Sequence, residues 1–278
     1  MPMNTAFRLT CTRALAPLLG LTLMASVVDA QRRSNQDFSW EGTIPSGRRL
    51  YVRNLNGSIT VQRATGDKAE VTAVKRWRRG DPADVKIEAT KVGSGSQDVL
   101  VCAVWTERTE CDEDGYDMRN DHDRWRGDRD NRNDVSVEFT VRLPAGVKLV
   151  TSTINGSLEI EGATSTVEAS TVNGEIHAAS TGGPVQASTV NGSIEVRMAQ
   201  MGTEQLDFST VNGSITVYVP DDINAELDMR TVNGRVSSDF PLTISGRINP
   251  RHLRATLGKG GQRLEFSTVN GSVELRKN

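Results

Sequence analysis

One short text recurs along this chain and limits its fold more than anything else in it. Ser152-Thr-Ile-Asn-Gly-Ser, Ser170-Thr-Val-Asn-Gly-Glu, Ser188-Thr-Val-Asn-Gly-Ser, Ser209-Thr-Val-Asn-Gly-Ser and Ser267-Thr-Val-Asn-Gly-Ser are near copies. The pairs themselves are Asn56-Gly57, Asn155-Gly156, Asn173-Gly174, Asn191-Gly192, Asn212-Gly213, Asn233-Gly234 and Asn270-Gly271. From Asn155 the spacings are 18, 18, 21, 21 and 37 residues. Periods near 20 residues mark units that cannot bury a core alone and must stack on their neighbours.

Counting outward from each Asn exposes a two-residue alternation. In the six repeats from Asn155 on, Leu149, Val167, Val185, Leu206, Leu227 and Leu264 stand six before it, and two before it is always Thr, from Thr153 to Thr268. Three after it come Leu158, Ile176, Ile194, Ile215, Val236 and Val273. Between these, five before the Asn, lies a polar column of Glu168, Gln186, Asp207, Asp228 and Glu265. Such alternation is a half-buried strand on each side of a turn. No segment carries a helical period, so the chain is all-β.

Two architectures fit. Asn-Gly between alternating strands is a strong hairpin signal, because both residues tolerate positive φ; this gives an antiparallel hairpin meander or sandwich. The other is a repeat-built β-solenoid, similar to a parallel β-helix, in which Asn-Gly marks a corner. In a meander successive turns stand about 10 Å apart and never touch, whereas solenoid corners stack about 4.8 Å apart. Contact gives a sequence reason to repeat, and the near identity of the turns therefore favours the solenoid.

The remaining chain divides around that repeat. Residues 1–30 read as a signal peptide: Arg8 and Arg13 precede an apolar run from Ala14 to Val28, with small residues at Val28-Asp29-Ala30 for cleavage near Ala30. The run falls short of the roughly 20 residues that span a bilayer, and no transmembrane span is expected in the mature chain. Residues 31–48 read as an extended leader, 49–143 as an N-terminal β region, and 144–278 as the Asn-Gly solenoid. Strands are expected near 68–77, 84–92, 98–106 and 135–143, with 239–262 an insertion or a longer outer hairpin. Residues 107–134 hold eleven acids and six arginines, a charged loop with too few apolar residues to bury a core.

Composition excludes several functions. Removing residues 1–30 leaves 31 basic and 34 acidic residues, a balance that excludes a typical nucleic-acid binder. Cys102 and Cys111 are then the only cysteines, and in an exported chain they are expected to form one disulfide. His122, His177 and His252 are scattered, so no metal site is implied, and no cofactor motif is present. Asp112-Glu-Asp114-Gly115-Tyr-Asp117 has half the pattern of a calcium loop but lacks its closing Glu, and reads better as a solvated charge run. Arg124-Trp125-Arg126 offers charge and stacking to an anionic polymer, against many flanking acids. In a solenoid Asp207 and Asp228 become adjacent outward neighbours, the arrangement a sugar-cleaving carboxylate pair needs. No Arg, Lys or His column accompanies these acids, and no His stands at a constant offset to activate the Thr or Ser columns. No catalytic residue is assigned. Just before each Asn, Ile154, Val172, Val190, Val211, Val232 and Val269 form an apolar column that strict alternation points outward; the corner is expected to turn it inward or residues 50–106 to cover it, and left exposed it is a partner surface.

The export signal, the early Leu55-Asn-Gly-Ser-Ile-Thr-Val rung and the repeated Ser-Thr-Val-Asn-Gly-Ser text together resemble the bacterial "putative adhesin" family. So does the ending Gly258-Lys-Gly-Gly followed by Leu264-Glu-Phe-Ser-Thr-Val-Asn-Gly-Ser. The resemblance covers residues 46–278 and implies a β-solenoid domain of unknown function at the cell envelope or surface. It implies a non-enzymatic, adhesin-like scaffold or binding module with a protein or glycan partner, or an envelope-stress sensor that binds peptide or lipid. A polysaccharide-active β-helix enzyme is the remaining rival.

Overall fold

The computed structural model describes residues 37–105, 109–118, 134–244 and 249–278. The signal peptide of residues 1–30, the cleavage point at Ala30 and the Arg124-Trp125-Arg126 segment lie outside the described residues. The described strands form an eleven-stranded sheet, a ten-stranded sheet and a two-stranded ribbon. No helix among the described residues is long and apolar enough to cross a membrane.

The two long sheets are the walls of a β-solenoid. Each repeat sends the strand before its Asn into the eleven-stranded sheet and the strand after it into the ten-stranded one. The Asn173 coil, for instance, consists of Val167–Asn173 and Ile176–Ser180. Both strands pair in parallel with their counterparts in the coils on either side. Parallel pairing between consecutive repeats rules out the hairpin meander. Like side chains consequently stand over like: Leu149, Val167 and Val185 align in one sheet, and Leu158, Ile176, Ile194 and Ile215 in the other. These columns face inward and are fully buried. At roughly 1.5–3 kcal/mol per buried aliphatic side chain, they are the main favourable term in the stack.

The core widens along the stack. Four residues before the corner, Thr151, Ala169 and Ala187 give way to Phe208, Phe266 and Met229. The Phe208 and Phe266 rings stack at 5.1 Å between centroids. Coil length rises with side-chain size, from 18 residues between Asn173 and Asn191 to 21 between Asn191 and Asn212.

Coil order departs from chain order at one end. Strand Leu206–Ser209 pairs with Gln262–Asn270, which in turn pairs with Ala225–Asn233. The Asn270 coil is thus inserted between those of Asn212 and Asn233. Residues 239–262 make this possible: His252–Leu257 pairs antiparallel on the outer side of Ala225–Asn233, with Thr243–Ile244 beyond it. Leu257 and Gln262 both partner Ala225, so Gly258-Lys259-Gly260-Gly261 carries the chain across the start of that strand. The positive φ of Gly258, Gly260 and Gly261 (+55°, +73° and +124°) permits this short crossing.

At the other end, Arg49–Arg53 and Ile59–Arg63 form the Asn56 coil and bond directly to the Asn155 coil. The sheets therefore run unbroken across residues 143 and 144. Antiparallel strands close this end. Phe38–Thr43 lies on Lys68–Arg76, which lies on Ser136–Leu143, while Lys86–Val92 lies on Asp98–Val104. One hydrophobic core runs through the whole stack.

Candidate functional site at the Asn-Gly corner

Each corner residue has its own physical task. The Thr two before the Asn points inward, is almost fully buried, and donates from Oγ1 to the Gly carbonyl of the adjacent coil. Thr171 bonds Gly156 at 2.9 Å, Thr189 bonds Gly174 at 3.0 Å, Thr210 bonds Gly192 at 2.9 Å and Thr268 bonds Gly213 at 2.9 Å. The Asn side chains form an amide ladder, Nδ2 of one coil donating to Oδ1 of the next. It runs through Asn155, Asn173, Asn191, Asn212, Asn270 and Asn233 with every bond at 2.7–2.8 Å. Asn56 leaves this ladder and donates instead to the Val135 carbonyl at 3.0 Å. A chain of amides polarises its members, so a continuous ladder is stiffer than separate bonds.

Glycine follows Asn because the coils approach closely there. A Cβ at Gly174, Gly192 or Gly213 would fall far inside van der Waals contact with the Gly carbonyl of the neighbouring coil. Neither these three glycines nor any corner Asn has positive φ. The hairpin rationale of a positive-φ pair therefore does not apply to them.

The residue between Thr and Asn points out. Ile154, Val172, Val190, Val211, Val232 and Val269 are each 37–55% exposed, and Leu55 of the first coil is partly buried. This corrects the expectation that the corner turns these side chains inward or that neighbouring segments cover them. An outward turn follows once Thr is committed to the inter-coil bond, since adjacent strand residues face opposite ways. The result is an aliphatic stripe beside an amide ladder.

The acidic column is reordered by the inserted coil. Asp207 neighbours Glu265, and Glu265 neighbours Asp228, so Asp207 and Asp228 are not adjacent. Asp228 is also not a solvated outward acid, being only 4% exposed. Arg230 binds it through two bonds of 2.8 and 2.6 Å, His252 Nε2 lies 3.0 Å away, and Arg254 Nε 3.2 Å away. Arg263 completes the cage at 3.4 Å. Burial alone would raise the Asp228 carboxyl; the hydrogen bonds from Arg230 and His252 and the nearby Arg230 and Arg254 charges outweigh it and hold it at about 2. An acid held ionised there cannot serve as the proton donor a glycosidase needs. The cations that cage it come partly from the antiparallel strand His252–Leu257, which the repeat pattern does not contain.

The sequence profile of a family described as Toastrack DUF4097 matches residues 41–276. The chain belongs to that family. No curated protein matches it. Among solved structures, a "putative cell adhesion protein" from Clostridium sporogenes aligns with a TM-score of 0.37 and 10% identity, covering 87% of this chain and 99% of that one. A "putative adhesin" from Bacteroides fragilis aligns with a TM-score of 0.25 and 11% identity, covering 86% of this chain and 96% of that one.

A two-stranded ribbon lies on the outer wall of this Toastrack chain. The ribbon Thr109–Cys111 and Tyr116–Met118 folds over Tyr51, Leu100 and Val150, with the Cys102 and Cys111 sulfurs within bonding distance and their Cα atoms 6.4 Å apart. Asp112 accepts at its carboxylate from the backbone N–H groups of Asp114 and Gly115, at 2.8 and 3.0 Å, so this carboxylate builds a turn. No group of three His, Cys, Asp or Glu residues among the described residues is arranged to hold a metal ion. Beneath the ribbon Arg53 is 7% exposed, donates to Ser152 Oγ at 2.9 Å and to the Glu113 carbonyl, and has its pKa lowered by burial.

Proposed function

We propose that this chain is a non-enzymatic, adhesin-like scaffold, exported to the cell envelope or beyond, that binds a protein or glycan partner along its Asn-Gly corner. The observation that carries this reading is the stripe of aliphatic side chains left exposed beside the amide ladder. Soluble proteins rarely leave apolar side chains in one continuous row unless something docks there. The ladder fixes the backbone beneath, so a partner meets a surface already ordered and loses little of its binding energy to ordering the scaffold. The two acids that suggest catalysis are separated, and one is locked ionised.

Binding of purified chain to envelope fractions of the producing cells tests the reading. A V190D/V211D double variant, folded because both positions are exposed, is expected to lose at least tenfold in affinity. Unchanged binding would refute the corner as the site. Export further implies that Cys102 and Cys111 are oxidised; the intact mass should then fall short of the reduced mass by two hydrogens, and a free-thiol mass would contradict it.

A further inference from the structure

The Asn-Gly pairs share one latent reaction, and the stack shields all of them but one. In such a pair the Gly backbone nitrogen can attack the Asn side-chain carbonyl carbon, unhindered because Gly carries no Cβ. This chemistry is one reason Asn counts among the thermolabile residues. It needs a Gly N–H released from its acceptor and an Asn side chain free to turn toward it. Inside the stack, parallel pairing denies both. Each Gly N–H donates to the Asn carbonyl of the next coil, from Gly57 to Asn155 at one end through Gly271 to Asn233 at the other, at 2.8–3.1 Å. The amides of Asn173, Asn191, Asn212 and Asn270 are also held on both sides by the ladder.

At the Asn233 coil the series runs out. Gly234 N–H donates to no acceptor among the described residues. The returning segment bonds on either side of it, taking the Thr231 N–H at the Arg251 carbonyl (2.8 Å) and the Val236 N–H at the Pro250 carbonyl (3.2 Å), and passes Gly234 by. Asn233 is exposed, and among the described residues its Oδ1, alone in the ladder, receives no donor. The opposite end differs, because the Gly156 N–H beside Asn155 is bonded to the Asn173 carbonyl at 3.0 Å.

We propose that Asn233 is a site of intramolecular deamidation and that the other corners are protected from it by the stack. The Gly234 nitrogen gives its proton to a solvent base and bonds to Asn233 Cγ. The Cγ–Nδ2 bond breaks, ammonia leaves and a cyclic imide closes. Water then opens the ring at either carbonyl, giving aspartate or, with the backbone rerouted through the side chain, isoaspartate. The product has lost the Nδ2 donor that bonds Asn270 Oδ1 at 2.8 Å and sets a carboxylate against that oxygen. The terminal rung of the ladder is thereby broken, beside the most exposed valine of the stripe, Val232.

The purified chain, held folded at mildly alkaline pH and sampled over days, tests this by peptide mapping in a mass spectrometer. Enzymatic methylation of isoaspartate gives a second readout, and a parallel sample in urea gives the intrinsic rate of each pair, by which the folded rates are divided. The Asn233 peptide should gain the amide-to-acid mass at least about tenfold faster than those of Asn173, Asn191 and Asn212, whose Gly N–H groups are released only by local opening. Equal normalised rates at Asn233 and the interior corners overturn the proposal. So does an Asn233 that stays as inert as they do while the urea sample reacts. Hydrogen exchange checks the premise separately: the Gly234 amide should exchange at least about tenfold faster than that of Gly192, and a Gly234 amide protected as well as Gly192 contradicts it.

Discussion

At Gly192 a single methyl group would be driven into the carbonyl of Gly174 in the coil next to it. That carbonyl also accepts the Thr189 hydroxyl, so relieving the clash breaks a second contact. Gly192→Ala is therefore expected to cost about 3 kcal/mol or more, the range of overpacked buried sites. Gly66 provides the comparison, because a Cβ there meets nothing within 4 Å; Gly66→Ala should be close to neutral in the same urea titration. Equal effects would mean that the corner glycines serve backbone freedom instead of close approach. The residue roles were only partly legible. The spacing of Thr, Asn and Gly marked a corner, and their identity from coil to coil required contact. Strict alternation already pointed Val190 and its counterparts outward, but alternation is broken wherever a strand bends, and a pattern of twos cannot say on which side the bend falls.

The element that the repeat did not announce is the strand His252–Leu257. It brings His252 and Arg254 against Asp228 from outside the column in which Asp228 was read, and turns an apparent surface acid into a buried node joining three strands. Long-range antiparallel pairing leaves no periodic trace, so the cage was invisible to counting. Its pH dependence follows from the depressed carboxyl. A group held at about 2 in the fold and near 3.9 unfolded stabilises the protein fully above about pH 4 and loses that contribution as pH falls toward 2. Asp228→Asn should lower stability at pH 7 by about 2 kcal/mol, since it removes the shared acceptor of three arginines and a histidine. The gap between variant and parent should close on titration from pH 4 to about pH 2. Urea unfolding across that range checks it, and a gap that stays constant would place the effect outside the carboxylate's charge.

For the molecule as a whole, the 18-residue and 21-residue spacings sufficed to favour stacked coils over a meander, because only stacking makes identical corners touch. The first coil was also legible, from Leu55-Asn56-Gly57. What the spacings could not convey is the order of the last two coils. A gap of 37 residues from Asn233 to Asn270 is compatible with simple succession, and only the crossing at Gly258–Gly261 places the later coil inside the earlier one. That inversion separates Asp207 from Asp228 and gives the exposed stripe its spatial sequence. Spin labels on the stripe, in magnetically diluted samples, read that sequence directly. From a label at Ile154, one at Val269 should lie nearer than one at Val232, by about one strand spacing of 4.8 Å. A shorter distance to Val232, or distances from Ile154 that fail to grow coil by coil, would contradict the stacked corner on which the proposed binding surface is built.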